Sequence, residues 1–125
     1  MSVEVDTTSA PKRLIITVTD PWPTIEDFSS LRRRLIDAGH LTEASRALID
    51  IRDVSTPDYH EATGIVAAGI KSGALPRHRA YLVGSAVQFG FVQQLKSLAP
   101  KTMEIEIFTN QEQALMWLHL DPEEQ

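Results

Sequence analysis

Residues 46–56 read RALIDIRDVST, and this stretch decides the fold class. Its first part is an apolar run that includes two isoleucines, which is typical of a strand covered on both faces of a sheet. The run ends in a polar turn that begins at Asp53 and contains Ser55 and Thr56. A strand covered on both faces needs helices above and below it, so this stretch predicts an α/β protein.

Further apolar runs before and after this stretch complete the predicted sheet. Residues 13–19 (RLIITVT) and residues 80–84 (AYLVG) predict two more strands, and residues 103–108 (MEIEIF) alternate as a half-buried edge strand does. Residues 1–6 predict a short antiparallel strand, joined to the next strand through a hairpin at residues 8–11.

Apolar residues at helical spacing follow each main strand, so strand and helix alternate four times. The first helix is predicted to begin after Thr24, which is the N-cap with Asp27 as its capping-box partner, and to end at Gly39. The second stripe begins at Ala62, and Thr109 is the predicted cap of the last helix.

Alternating strands and helices predict parallel strands with right-handed crossovers. The sequence therefore predicts a single three-layer α/β domain over residues 1–125, with frayed ends at about 1–2 and 120–125. The predicted sheet has four to five strands and is mostly parallel, with an antiparallel N-terminal strand and helices on both faces.

Composition excludes several classes of function. The 125 residues carry a net charge of −5, which opposes bulk nucleic-acid binding, and no run approaches the ~20 apolar residues of a membrane span. The chain has no cysteine, and its acidic N-terminal stretch is unlike a signal peptide, so we expect a cytoplasmic protein. Neither a metal-binding histidine spacing nor a phosphate loop is present, so we expect no metal and no cofactor.

Candidate site residues are the polar ones that follow the predicted strands, because sites in such sheets form beyond the carboxyl ends of the strands. We expect a single neighbourhood that includes Asp20, Asp53 and Ser85. The candidates for binding a ligand or partner in this region are Asp20, Asp50, Asp53, Ser55, Thr56, Tyr59 and Ser85.

Asp50 is the most informative candidate, because it interrupts an apolar strand. A buried carboxylate needs hydrogen bonds or a cationic partner. One interpretation is structural: Asp50 accepts backbone N–H groups at a neighbouring helix start, or pairs with an arginine such as Arg79. The other is a ligand-binding or switch role.

Two basic clusters stand out against the acidic composition. Residues 32–34 are three arginines on the outer face of the first helix, and a solvated face is the default interpretation. Residues 77–79 (RHR) precede a predicted strand and so lie at its amino end, opposite the expected site. An acidic protein partner could use either cluster.

Several segments in this order resemble the SpoIIAA-like proteins of the STAS superfamily, the anti-sigma-factor antagonist fold. They are LIDIR at 48–52, LPR at 75–77 leading into RAYLV at 79–83, and IFT at 107–109 followed by ALMWL at 114–118. The resemblance spans residues 13–118 and implies a small bacterial cytosolic protein with a mixed sheet. It also implies similarity to the lipid-binding CRAL-TRIO fold.

The sequence departs from that family at the phosphorylation site. Antagonists carry a phosphorylatable serine in an Asp-Ser-Ser-Gly context at the start of the helix after the LIDIR-like strand. If Asp58 matches that aspartate, Tyr59 occupies the serine position. Ser55 or Thr56 then remains as a possible phosphate acceptor, since phosphate is favoured near a helix N-terminus.

The favoured function is a regulatory or binding module that is not an enzyme and presents residues 53–63 to a protein partner or holds a small ligand. One alternative is a carrier of a small apolar or lipid ligand, in a gap between the third helix and the sheet. A second alternative is an enzyme that uses Asp50 or Asp53. We also expect a homodimer, because the strand at residues 103–108 leaves an edge open to pairing.

Overall fold

The computed structural model describes residues 3–6, 13–41, 45–55, 57–72, 78–99, 101 and 103–119. The predicted hairpin at 8–11 and the predicted frayed ends lie outside these ranges. The strands are β1 (Val3–Asp6), β2 (Arg13–Thr19), β3 (Arg46–Asp53), β4 (His78–Leu82) and β5 (Glu104–Phe108). The helices are α1 (Ile25–Asp37), α2 (Tyr59–Ser72), α3 (Ala86–Leu98) and α4 (Gln111–His119).

The five strands lie in the sheet in their chain order. β1 runs antiparallel to β2, and β2 to β5 are parallel to one another. Each right-handed crossover moves one strand further in the same direction, which puts α1, α2 and α3 on one face. α4 packs on the other face against β3, β4 and β5. The predicted mixed α/β sheet with helices on both faces is confirmed.

The two faces of the sheet form two unequal cores. Ile49 and its register neighbours Ile16 and Tyr81 belong to the large core under α1, α2 and α3. Leu48 and its register neighbour Ala80 belong to the small core under α4. β3 alternates between the two cores, which explains why its sequence is an unbroken apolar run up to residue 49.

α1 has the end signals that the sequence predicts. The Thr24 hydroxyl accepts the Asp27 N–H at 3.1 Å, and the Asp27 carboxylate accepts the Thr24 N–H at 3.3 Å, which together make a capping box. At the other end Gly39 has φ +78°, the left-handed conformation that stops a helix.

Two other helices begin elsewhere than the sequence predicts. α2 begins at Tyr59 and not at Ala62, because Asp58 accepts a first-turn backbone N–H at 3.0 Å and caps the helix there. The side chain of Asn110, and not that of Thr109, accepts a first-turn N–H of α4 at 3.1 Å. Polar caps set both starts. In α2 the apolar stripe begins only where the helix meets the core, and in α4 the cap is one residue after the predicted Thr109.

β4 also differs from its prediction. It begins at His78 and ends at Leu82, whereas the apolar run suggested residues 80–84. Arg79 is therefore a strand residue, and it is buried with 8% of its surface exposed. The interpretation of residues 77–79 as a surface basic cluster is wrong at Arg79. Pairing with the neighbouring strands extends β4 beyond the apolar run from which the strand was predicted.

No helix in the described ranges is long and apolar enough to cross a membrane.

Replacing Gly39 by alanine should destabilise the protein by about 1 kcal/mol, because alanine adopts the left-handed backbone conformation less readily than glycine does. A Cβ at Gly39 would meet no atom within 4 Å, so no clash adds to that cost. Gly90 lies inside α3 and is equally open, so Gly90→Ala should stabilise by about 0.5–1 kcal/mol through helix propensity. Urea unfolding should show changes of opposite sign in the free energy of unfolding of the two variants if the positive φ of Gly39 is the cause. Changes of the same sign would show that it is not.

Candidate functional site

Asp20 and Ser55 join the loops that follow β2 and β3. The two carboxylate oxygens of Asp20 accept the Ser55 backbone N–H at 3.1 and 3.2 Å. The Ser55 hydroxyl donates to Asp20 Oδ2 at 2.6 Å. Hydrogen bonds to an ionised acceptor are short and strong, so this pair fixes the two loops against each other.

Gln88 joins the start of α3 to the end of β3. This amide is 4% exposed, and its nitrogen donates to the carbonyls of Arg52 at 3.1 Å and Val54 at 2.8 Å. Its oxygen accepts the Gly84 N–H at 2.7 Å. Ser85 is the N-cap of α3, and its hydroxyl accepts the Gln88 N–H at 3.2 Å.

Sequence reasoning missed Gln88, although a signal for it exists. The segment Ser85-Ala-Val-Gln88 fits the capping-box pattern, in which a serine is followed three residues later by glutamate or glutamine. Here the glutamine reaches back to the amide one residue before the cap, at Gly84, and also crosses to β3.

The structure brings most of the predicted site residues to one edge of the sheet. Asp20 bonds to Ser55, and Val54 next to Ser55 bonds to Gln88, which is bonded to Ser85. Asp53 is exposed at the end of β3, where its register partner is Thr19. Thr56 lies outside the described residues.

Tyr59 opens α2 at the same edge, with 36% of its surface exposed. The start of α2 is held on α1, because the Glu61 carboxylate accepts the Ile25 N–H at 3.0 Å. The ring of Phe91 meets Tyr59 edge-on at 6.3 Å and Trp22 edge-on at 5.2 Å between centroids. Three aromatic rings thus join the starts of α2 and α3 to the loop after β2.

Asp50 does not belong to this group of residues. Its carboxylate accepts Arg52 Nε at 3.0 Å, Arg52 Nη2 at 2.9 Å and the Arg52 backbone N–H at 3.0 Å. Donation of hydrogen bonds to Asp50 raises the pKa of the Arg52 guanidinium, against the lowering effect of desolvation. Asp50 therefore pairs with an arginine of its own strand.

The suggested pairing of Asp50 with Arg79 is wrong. Asp50 lies in register with Leu82, whose side chain packs in the small core under α4. Arg79 lies in register with Ala47 and Ile105, which both belong to the large core on the other face. Side chains alternate along a strand, and Leu82 is three positions from Arg79, so Asp50 and Arg79 lie on opposite faces of the sheet.

An open cleft of about 790 Å³ lies at this edge, and we call it the edge cleft. The described residues that line it include two carboxylates and no lysine or arginine. Ser55 Oγ has a carboxylate beside it, but no histidine or lysine among these lining residues could take or pass on its proton. The lining residues are Asp20, Pro21, Trp22, Ser55, Pro57, Asp58 and Tyr59.

Within the described ranges, no three histidine, aspartate or glutamate side chains are grouped so that they could hold a metal ion.

The chain is similar to one solved structure over nearly its whole length. That structure is an uncharacterized protein from the DUF3478 family with a SpoIIAA-like fold, from Shewanella loihica PV-4. The two chains share 22% identity, with a TM-score of 0.66, over 93% of this chain and 91% of the other. No family model and no curated protein matches the chain. The SpoIIAA-like fold implied by the sequence motifs is confirmed.

Replacing Gln88 by alanine should lower the free energy of unfolding by about 2–4 kcal/mol, because three backbone groups lose their buried partner. Gln93 is an exposed glutamine of the same helix, so Gln93→Ala is the matched control and should change stability by less than about 0.5 kcal/mol. Urea unfolding measures both. Equal losses in the two variants would contradict a structural role for the buried amide.

Proposed function

We propose that this protein is a regulatory binding module, not an enzyme, which docks a partner protein in the edge cleft. The observation that carries the proposal is the lining of the cleft: Asp20 and Asp58 beside the partly exposed rings of Trp22 and Tyr59. Aromatic side chains in a preformed depression are the usual anchors of protein interfaces. The Asp20–Ser55 bonds hold the depression in shape before a partner arrives.

The charge of the cleft selects the chemistry of the partner. Asp20, Asp53 and Asp58 are exposed at this edge, and Arg52 close by already has Asp50 as its counter-ion. A partner that presents lysine or arginine next to an apolar group fits both the carboxylates and the rings. Two large apolar residues in the first turns of α3, Val87 and Phe89, are 67% and 44% exposed and extend the apolar surface at the start of that helix.

The two alternatives have weaker support. A carrier of a bulky lipid needs a cavity of roughly 300 Å³ or more, and the apolar cavities under α1 measure about 40 and 50 Å³. An enzyme that uses Asp50 would need that carboxylate free for chemistry, and Asp50 is held by Arg52 through two side-chain bonds. The cavities under α1 suit a small ligand better than a bulky one.

A bacterial cytoplasmic setting is part of the proposal. It is supported by the cysteine-free composition, which suits a reducing compartment, and by the bacterial source of the similar structure.

Cross-linking from inside the cleft tests the proposal. With Tyr59 replaced by p-benzoylphenylalanine, irradiation of cells of the source organism should give one discrete adduct with a partner. The same amino acid in place of Met116, which is 63% exposed on α4 across the sheet, should not give that adduct. The identical adduct from both positions, or none from position 59, would refute docking in the cleft.

Binding of the purified partner gives the quantitative test. Tyr59→Ala should weaken binding by about tenfold or more, because it removes an aromatic anchor, and Met116→Ala should leave it unchanged. Affinity for wild-type protein should fall as salt is raised, because the carboxylates attract a basic partner. Affinity that rises or stays level with salt would contradict a basic partner.

Phosphorylation of Ser55 is a proposed regulator of this docking. A phosphate on its hydroxyl would replace the donor at 2.6 Å from Asp20 Oδ2 by a dianion, so the two loops would separate. The support for it is electrostatic: the Ser55 hydroxyl lies against the Asp20 carboxylate, and a phosphate on that hydroxyl would put two anions in contact. Phosphate on Ser55, Thr56 or Tyr59 in protein isolated from its host is the observation that would support a switch.

The homodimer remains a prediction. β5 is at one end of the sheet order, so its outer edge is available for pairing. Two exposed glutamates, Glu104 and Glu106, lie on this strand, and two-fold pairing would place like charges close together. Sedimentation equilibrium of wild type and of Ile107→Pro, which removes a backbone donor from the strand, decides whether the edge pairs.

A further inference from the structure

A buried cation without a counter-ion lies under α1. Arg79 is 8% exposed, and neither its Nε nor its Nη1 has a hydrogen-bond partner among the described residues. Its guanidinium carbon lies 5.8 Å from the centre of the Tyr81 ring, which offers a cation–π contact but no acceptor. Two of the three guanidinium nitrogens are therefore buried without an acceptor, and none of the ion pairs seen among the described residues includes Arg79.

A second buried donor without a partner belongs to a residue that lines a cavity together with Arg79. The indole Nε1 of Trp22 is buried and also has no partner in the described part of the chain. Trp22 and Arg79 both line one apolar cavity of about 40 Å³. The other lining residues are Ile16, Val18, Phe28, Ile49, Ala62, Tyr81 and Leu95.

Arg79 also lines a second apolar cavity, of about 50 Å³, between α1 and the sheet. Arg79, Ile16 and Phe28 are common to both cavities, so the Arg79 side chain borders both of them. Leucines form most of the remaining wall, and the half-buried Arg32 is the one other charged residue among the lining residues. The space around the buried charge is thus apolar on both sides.

Burial of a charge without a partner costs more free energy than a cation–π contact returns. Water in the cavity would satisfy the N–H groups but would supply no counter-charge. An anion does both. The apolar walls on either side favour an anion that carries a hydrocarbon part over a fully hydrated one.

We propose that this protein binds a small apolar carboxylic acid between α1 and the sheet. Its carboxylate accepts from the Arg79 guanidinium and from Trp22 Nε1–H, and its short hydrocarbon part packs against Ile16 and Phe28. The cavity volumes restrict the ligand to a few carbon atoms. This binding goes beyond the docking of a partner in the edge cleft and does not depend on it.

A chain-length series from acetate to octanoate tests the proposal by two-dimensional NMR. Trp22 and Trp117 are the two tryptophans of the chain, so their indole N–H signals give a reporter and an internal control. We expect a short or medium acid to shift the Trp22 signal saturably and to leave the Trp117 signal in place. Chloride and the alcohol of equal chain length should not reproduce the shift.

Arg79→Met keeps the volume of the side chain and removes the charge. This variant should bind the best acid at least about tenfold more weakly. It should also melt about 5 °C higher without ligand, because an unpaired buried charge is gone. Arg33→Met changes an exposed arginine of α1 and should bind like wild type.

Three results would overturn the proposal. One is wild-type protein whose Trp22 signal responds to none of the acids. Another is an equal response to chloride, which would show an anion site with no preference for hydrocarbon. The third is Arg79→Met binding the acid as tightly as wild type. Should Arg79→Met not fold, Trp22→Phe removes the indole donor and keeps an aromatic ring. The reporter signal is lost with the indole, so binding of the same acid is then measured by isothermal titration calorimetry and must be weaker than in wild type.

Discussion

The parallel alignment of β2 to β5 in chain order is the constraint on which the rest of the structure depends. It sends α1, α2 and α3 across one face and leaves the other to α4. It also gathers the carboxyl ends of the strands at one edge. There Asp20 binds Ser55, and Gln88 binds the carbonyls at the end of β3. The edge cleft is the product of this gathering, held by hydrogen bonds between loops that are far apart in the chain.

Polar groups in the large core divide into two kinds. Gln88 has a protein partner for its oxygen and for its nitrogen, so it fixes the place of α3 at little cost. Arg79 and Trp22 retain unsatisfied donors beside apolar walls. A fold has no structural need for a bare guanidinium in its interior, since an apolar side chain of equal size would be more stable there. This contrast separates residues that build the sheet from residues available to a ligand.

Particular residues show how far the sequence could predict the site. Asp20, Ser55 and Ser85 could be placed together, because the rule for strand ends needs only the strand order. The partner of Asp50 could not be predicted. Arg52 and Arg79 are arginines of two neighbouring strands, and the face of the sheet that each side chain occupies depends on strand register. Gln88 was missed because a glutamine in an amphipathic helix has many possible partners, and only the crossing of α3 over β3 selects the carbonyls.

The sequence by itself determined the alternation of strands and helices, the parallel sheet with its antiparallel first strand, and the capping box of α1, because these follow from local spacing of apolar and capping residues. The tertiary structure alone decided that Arg79 is interior and that three aromatic rings meet at the cleft. Burial and ring contacts come from elements distant in the chain, whose relative placement depends on strand register and helix packing. The local sequence pattern does not specify that placement.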